Sequence, residues 1–321
     1  MPLPDVDVVM PVYNAETYVC ESVQSILRQS FESFRLICVD DGCTDGSSEI
    51  LDRLAAEDRR IEVLRQENAG LVGALNAGLS KCTAPLIARM DADDIAMPDR
   101  FQRQVEFLQA DPKVFAVGTA ILEMDTDSEP LAIVQNPLEH EQIDAGLMQM
   151  RSGLAHPSVM MRRRAVQSLG GYRAEFEWVE DYDLWLRMSE HGRLANLPEV
   201  LLCYRQHASS GTWRVGESRV QRAIAALREA YERRGLLVPH GFEQRYLKVR
   251  SPGGPGKWAR KASRQGHWGI ACKHLRKLWQ EAPASSLTWR MTLEVAARST
   301  THLLFGRKTA LPEIPRYRDA A

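Results

Sequence analysis

The chain has 321 residues, 44% hydrophobic and 26% charged, with 21 Gly and 16 Pro. That composition excludes a disordered or low-complexity chain, and the length suits one large domain or a domain with an appendage. The formal net charge of −1 hides an asymmetry: Lys248 to Ala321 carry 15 Lys and Arg against 4 Asp and Glu, a surplus of +11, and the remainder carries −12.

Met1 to Asp7 hold no basic segment and no apolar core, so no secretory signal is read there. No uncharged apolar run approaches the roughly 18–20 residues that a membrane span needs. The expectation is a cytoplasmic protein, soluble or peripheral at the inner membrane face. The cysteines, Cys20, Cys38, Cys43, Cys82, Cys203 and Cys272, form no C-x-x-C pair. Most lie in apolar segments and read as reduced thiols.

In chain order, strand and helix patterns alternate over the first hundred residues. Asp7–Val12 is a β-branched run ending at Pro11, Val12 and Tyr13, and residues 15–29 then place Val19, Val23, Ile26 and Leu27 on one helical face. Arg35–Val39 is a second strand, ending at Asp40 and Asp41. A helix with Ile50, Leu51 and Leu54 follows. Ile61–Leu64 is a third strand, ending near Asn68 and Gly70, before a helix over 71–80. Pro85–Met90 is a fourth, ending at Asp91-Ala92-Asp93-Asp94, and a helix past Pro98 runs to about Gln109. Repeated βαβ units imply a parallel sheet with right-handed crossovers. Ligands of such sheets bind outside the carboxyl ends of the strands. Tyr13, Asp40 or Asp41, Asn68 or Gly70, and Asp91 with Asp93 are therefore expected on one rim.

Beyond Pro112 the pattern changes. Val114–Leu122 reads as a strand, followed by a polar, Asp- and Glu-rich loop. His156–Met161 and Leu197–Tyr204 read as strands, with a helix over Glu180–Glu190 between them. Trp213 to about Arg234 is an amphipathic helix, Ser251–Gly256 a linker, and further helices lie around Trp268–Trp279 and Leu287–Phe305.

Asp91 and Asp93 at a strand end offer hard oxygens to Mg²⁺ or Mn²⁺ bridging to a diphosphate. Asp40 can accept from a base or ribose group, whereas Asp45 reads as a helix cap. Glu180 and Asp181 open a helix, whose N-terminus keeps a general base ionised and favours acidic residues for structural reasons as well. His207 can complete a metal shell or sit in a polar surface loop. His156 reads as structural, and Arg162-Arg163-Arg164 as a solvated helix start rather than a diphosphate clamp.

Taken in order, Met10–Glu16 (MPVYNAE), Val39–Asp45 (VDDGCTD), Met90–Asp94 (MDADD) and Glu180–Trp185 (EDYDLW) resemble the signature of family-two inverting glycosyltransferases of the GT-A fold. The resemblance spans roughly Val6 to His207. It implies an α/β fold of GT-A type: a Rossmann-like, mostly parallel central sheet with helices on both faces, here with a C-terminal helical extension. Residues 1–211 would form the transferase domain, 212–250 a long helix and connector, and 251–321 the basic extension. Pro11, Tyr13, Glu16 and Asp40 would line the nucleotide, with Asn68 beside them. Asp91 would contact ribose or metal, Asp93 would be the principal metal ligand, and His207 a late metal or phosphate contact. Asp181 would be the base and Glu180 its support or an acceptor contact. Cys43 departs from the family's usual Ser, and Leu75 from a frequent Arg, which removes a diphosphate contact.

The implied activity is inverting transfer from a nucleotide-diphosphate sugar, UDP by family habit, to a hydroxyl acceptor on a glycan or lipid, in cell-surface polysaccharide or glycolipid synthesis. Two rivals stay open. A sugar-1-phosphate nucleotidyltransferase should show a Gly-rich basic loop after the first strand, where this chain has Tyr13-Asn14-Ala15-Glu16. A non-catalytic scaffold of the same fold should have lost Asp93 or Asp181. Nucleic acid is disfavoured as a partner, because the basic tail lacks groove-reading patterns. The tail, with Trp258, Trp268, Trp279 and Trp289 among its charges, either meets an anionic membrane surface or docks on the acidic domain.

Overall fold

The computed structural model describes residues 4–151, 153–207, 217–240, 242, 254–305 and 311–317. Four parallel strands, β1 (Val6–Val12), β2 (Phe34–Asp41), β3 (Ile61–Gln66) and β4 (Leu86–Arg89), alternate with α1 (Val19–Leu27), α2 (Ser47–Glu57) and α3 (Gly70–Lys81). After β4 come β5 (Ile95–Ala96), α4 (Arg100–Ala110), β6 (Val114–Met124), β7 (Pro130–Val134) and α5 (His140–Leu147). Next are β8 (Met160–Arg162), α6 (Arg163–Ser168), α7 (Glu180–Ser189), β9 (Arg193–Arg205) and α8 (Glu217–Arg233). The sheet runs β3-β2-β1-β4-β8-β6-β9-β5, with β7 on β6.

The strands are buried on both faces, and their two-residue period sorts the core. Val8, Met10, Leu36 and Cys38 pack toward α1, α2 and α4, whereas Val9, Ile37 and Val39 pack toward α3, α7 and α8. Helix α3 lies against the sheet at Gly78, where an added Cβ would sit 2.5 Å from Val9 Cγ1. All six cysteines are free, with Cys38, Cys82 and Cys203 buried and Cys272 exposed.

The second half departs from the sequence reading in particular places. The Asp- and Glu-rich stretch after β6 is a hairpin into β7, and α5 follows it. Asp125 makes the turn: its Oδ1 accepts the amides of Asp127 and Glu129, each at 2.9 Å. Acidity there marks turn chemistry rather than irregular chain. His156–Ser158 is a 3-10 turn rather than strand, because Pro157 has no N–H for a ladder. Arg162 and Arg163 donate to the carbonyls of Val114 and Ala84, so this basic run ties backbone together. The linker read over Ser251–Gly256 lies outside the described residues up to 253.

The C-terminal helices α9 (Pro255–Arg264), α10 (Trp268–Glu281) and α11 (Ser286–Phe305) share their own small core of Ala259, Ala262, Ala271, Leu275, Leu278, Met291 and Val295. They dock on the β6–β7 hairpin. Lys273 Nζ lies 2.8 Å from Asp125, 2.7 Å from Asp127 and 2.6 Å from Glu129. Lys261 pairs with Glu123, and His274 Nε2 stands 3.0 Å from Asp125. Part of the tail's positive charge is thus spent on the acidic domain. Trp258 is buried in that contact, whereas Trp289 is 56% exposed. No helix among the described residues is long and apolar enough to cross a membrane.

Candidate active site

The strand ends of β1, β2 and β4, the start of α3, the start of α7 and the end of β9 surround one open cavity of about 1090 Å³. Of the residues singled out from sequence, Pro11, Tyr13, Asn68, Asp91, Asp93, Glu180, Asp181 and His207 line it. Asp40 and Glu16 do not. Asp40 faces α2, where its Oδ1 accepts the Cys43 amide at 3.0 Å and its Oδ2 the Ser48 hydroxyl at 2.6 Å. Burial works to raise the Asp40 carboxyl, but Ser48, Cys43 and Arg65 outweigh it and hold it below its ordinary value. Asp41, one residue on and therefore on the other face of β2, is the carboxylate that lines the cavity. Its Oδ1 accepts Gln66 Nε2 at 2.6 Å and the Ala69 amide at 2.8 Å. Glu16 Oε2 accepts the Gly46 amide at 2.8 Å and steadies the β2–α2 turn. Gly42 in that turn, at φ +71°, permits its close approach to the Asn68 backbone.

After β4, the oxygens of Asp91, Asp93 and Asp94 lie within 4.8 Å of one another. Asp91 pairs with Arg89, and Asp93 Oδ2 meets His207 Nε2 at 2.6 Å. Asp94 is buried. Its Oδ1 accepts the Arg205 amide at 2.8 Å, and its Oδ2 has no partner. Burial, together with Asp93 and Asp91, pushes the Asp94 carboxyl well up, and burial raises Asp91 against the opposing Arg89. Such crowding of carboxylates is what a cation relieves, and three oxygen donors with an imidazole suit Mg²⁺ or Mn²⁺. Arg205 fixes this corner: it donates to the Asp93 carbonyl, to Glu21 and to Ser128 at 2.7–2.8 Å, and its guanidinium lies 4.4 Å over the Tyr18 ring.

At the start of α7, Asp181 Oδ1 accepts the amide of Tyr182 at 2.7 Å. Burial raises the Asp181 carboxyl, and Tyr182, Arg219 and Arg89 oppose that rise. Glu180 is buried, with Oε2 unpartnered, and burial next to Asp181 pushes it up to about 7. His156 Nε2 meets the Tyr172 hydroxyl at 2.8 Å, and burial holds this imidazole well below its ordinary value, so it orients neighbours without charge. The cavity is also lined by Trp178, Arg219, Lys257 and Lys261, which the sequence reading missed, and by Arg89, which it saw before the Asp91–Asp94 motif without giving it a role. Arg89 adjoins a recognised motif and was the one open to detection. Arg219 lies in the amphipathic helix and Lys257 and Lys261 in the basic tail, segments whose local patterns do not tell that they turn back to the cavity.

Residues 7–170, just over half of the chain, match the profile described as Glycosyl transferase family 2. The chain belongs to this family. The family-2 chain is 37% identical over 216 residues to a putative glycosyltransferase, EpsE, of Bacillus subtilis (strain 168), covering 64% of this chain and 75% of that one. It is 32% identical over 239 residues to the amylovoran biosynthesis glycosyltransferase AmsE of Erwinia amylovora, covering 73% and 87%. Its fold resembles S. aureus TarS 1–349 in complex with UDP-GlcNAc, with a TM-score of 0.60 at 14% identity over 92% of each chain. It also resembles a mannosyltransferase of Pyrobaculum calidifontis in complex with GDP-Man and Mn²⁺, with a TM-score of 0.53 at 19% identity over 94% and 81%. The mixed, mostly parallel sheet with flanking helices is the GT-A type. This glycosyltransferase retains both Asp93 and Asp181 in one cavity, against the scaffold reading.

Proposed function

We propose that this chain is an inverting glycosyltransferase that moves a sugar from a nucleoside diphosphate sugar to a carbohydrate hydroxyl in surface-polysaccharide assembly. The single observation that carries this reading is the meeting of the Asp91–Asp93–Asp94 cluster and Asp181 in one cavity, close enough that Asp181 helps raise Asp91. The relative named for amylovoran biosynthesis supports the polysaccharide setting. The neighbour complex with UDP-GlcNAc supports a UDP donor, and the one with GDP-Man keeps GDP open.

In this reading, Pro11, Tyr13, Asp41 and Asn68 hold the nucleoside. Asp93, with Asp91, Asp94 and His207, would hold Mg²⁺ or Mn²⁺, which when bound neutralises charge on the departing diphosphate. The second oxygen of Asp181 accepts the proton of the acceptor hydroxyl while the hydroxyl oxygen attacks the anomeric carbon from the face opposite the leaving group and the bond from that carbon to the diphosphate oxygen breaks. Burial beside Asp181 raises Glu180 to about 7, so near neutrality Glu180 is only partly ionised and adds less than a full charge beside Asp181. Basic and aromatic residues of the tail would bring the enzyme to an anionic membrane face, with Trp289 rather than Trp258 at the lipid. A screen of common sugar nucleotides for metal-dependent release of nucleoside diphosphate tests the reading. Release that persists equally in EDTA and in Asp93→Asn would sink it.

A further inference from the structure

Trp178 lines the cavity three residues before Asp181, and its backbone lies at φ +74°. Bulky side chains avoid the left-handed region, and such a conformation persists only where the surroundings impose it. Here they do. The Glu177 carbonyl accepts Arg222 Nη1 of α8 at 2.8 Å, and the Val179 amide donates to the Phe176 carbonyl at 2.9 Å. Phe176 itself is buried, with the Arg173 guanidinium 4.3 Å over its ring. Glu177 is admitted because Gly70 has no Cβ; one would stand 2.4 Å from Glu177 Oε1. The turn is therefore clamped from α8, from the core and from α3, and its product is a half-buried indole on the cavity wall.

We infer that Trp178 is the acceptor platform: the indole face stacks on the C–H face of a pyranoside acceptor and sets its hydroxyl toward Asp181. The inference rests on the glycosyltransferase reading above. The wall beside Trp178 carries Glu177, Glu180, Asp181 and Arg219. These groups suit hydroxyls, and the indole set among them adds a broad apolar surface suited to a sugar ring. The left-handed backbone fixes the place of Trp178 on the cavity wall. Trp178 is thus a positioning residue for acceptor geometry and selects a sugar ring over an open-chain polyol.

The test labels the full chain with 5-fluorotryptophan, giving one fluorine signal for each of the seven tryptophans, and assigns Trp178 by its loss in Trp178→Phe. Methyl glycosides of glucose, galactose, mannose and N-acetylglucosamine are titrated in the presence of UDP and Mn²⁺, with glycerol as control. The expected result is a saturable shift of the Trp178 signal with at least one glycoside and none with glycerol. No shift with any glycoside, or an equal shift with glycerol, overturns the proposal. UDP binding in the same sample is read separately by calorimetry, so failure of the donor reading is distinguishable. With the active glycoside as acceptor, Trp178→Leu should raise KM about tenfold, the upper end for one stacking partner, and Trp178→Phe should restore most of it. Trp178→Gly should unfold no earlier than wild type, since glycine takes this φ without strain; a marked loss of stability would instead make Trp178 a structural plug.

Discussion

Asp93 Oδ2 and His207 Nε2 stand 2.6 Å apart, although 114 residues separate them in the chain. The contact closes the end of β9 onto the loop after β4, and Arg205, two residues before His207, holds the Asp93 carbonyl. Asp93→Asn should lower transfer by at least ~10²-fold, as for loss of a main electrostatic stabiliser. His207→Ala should weaken Mn²⁺ binding on the order of tenfold, read by calorimetry with the metal alone. Unchanged Mn²⁺ affinity in both variants would remove this corner from the metal site.

Asp181 and its helix-start role are separable. Asp181→Asn keeps the acceptor for the Tyr182 amide and removes the base. Transfer should fall by ~10²–10⁴-fold with donor affinity near wild type. Retained transfer would reduce Asp181 to a helix-start residue.

Glu180 gives a pH signature. Its folded value of about 7 lies above the ordinary 4.5, so the folded state holds the proton more tightly than the unfolded chain. Stability from this group is full below pH 4.5 and declines as pH rises toward 7. Glu180→Gln abolishes that slope. Relative to wild type, the variant should gain on the order of 3 kcal/mol between acid and pH 8, measured from urea midpoints. Parallel curves for the two proteins would contradict the burial argument.

Asp125 ties the tail to the sheet, being fully buried between its own turn and the Lys273 ammonium. Burial works to raise its carboxyl, but His274, Lys273 and the Glu129 amide together hold it well below the usual range. Asp125→Ala leaves Lys273 with its more exposed partners and uncaps the hairpin. A loss of about 3 kcal/mol is expected, with faster tryptic cleavage. An unchanged unfolding midpoint and digest would show the helices to be held by their apolar contacts alone.

The exposed face of α11, with Trp289 and Leu293 at 56% and 68% exposure, predicts where lipid would be met. Full-length protein should sediment with anionic vesicles at low salt and not with neutral ones. Trp289→Ser with Leu293→Ser should abolish this without changing the unfolding midpoint. Equal sedimentation of the variant would clear this face of the role.

The sequence by itself determined the βα alternation, the delivery of Tyr13, Asn68, Asp91 and Asp93 to one rim, and the acidic start of α7. These follow from short-range chemistry: β-branched runs, helical periodicity and polar strand ends. The choice between Asp40 and Asp41 was not so determined. Adjacent strand residues face opposite ways, and only the packing of α2 against Asp40 decides that Asp41 lines the cavity. The β6–β7 hairpin was concealed because its turn is as acidic as a loop. Arg219, Trp178 and Lys261 reach the cavity only because α8, the clamped turn before α7, and α9 fold back over it. The tail's charge was legible from composition and left docking on the acidic domain open beside a membrane surface, but the pairing that docks it was not legible, since the long-range contact of Lys273 with Asp125 leaves no local pattern.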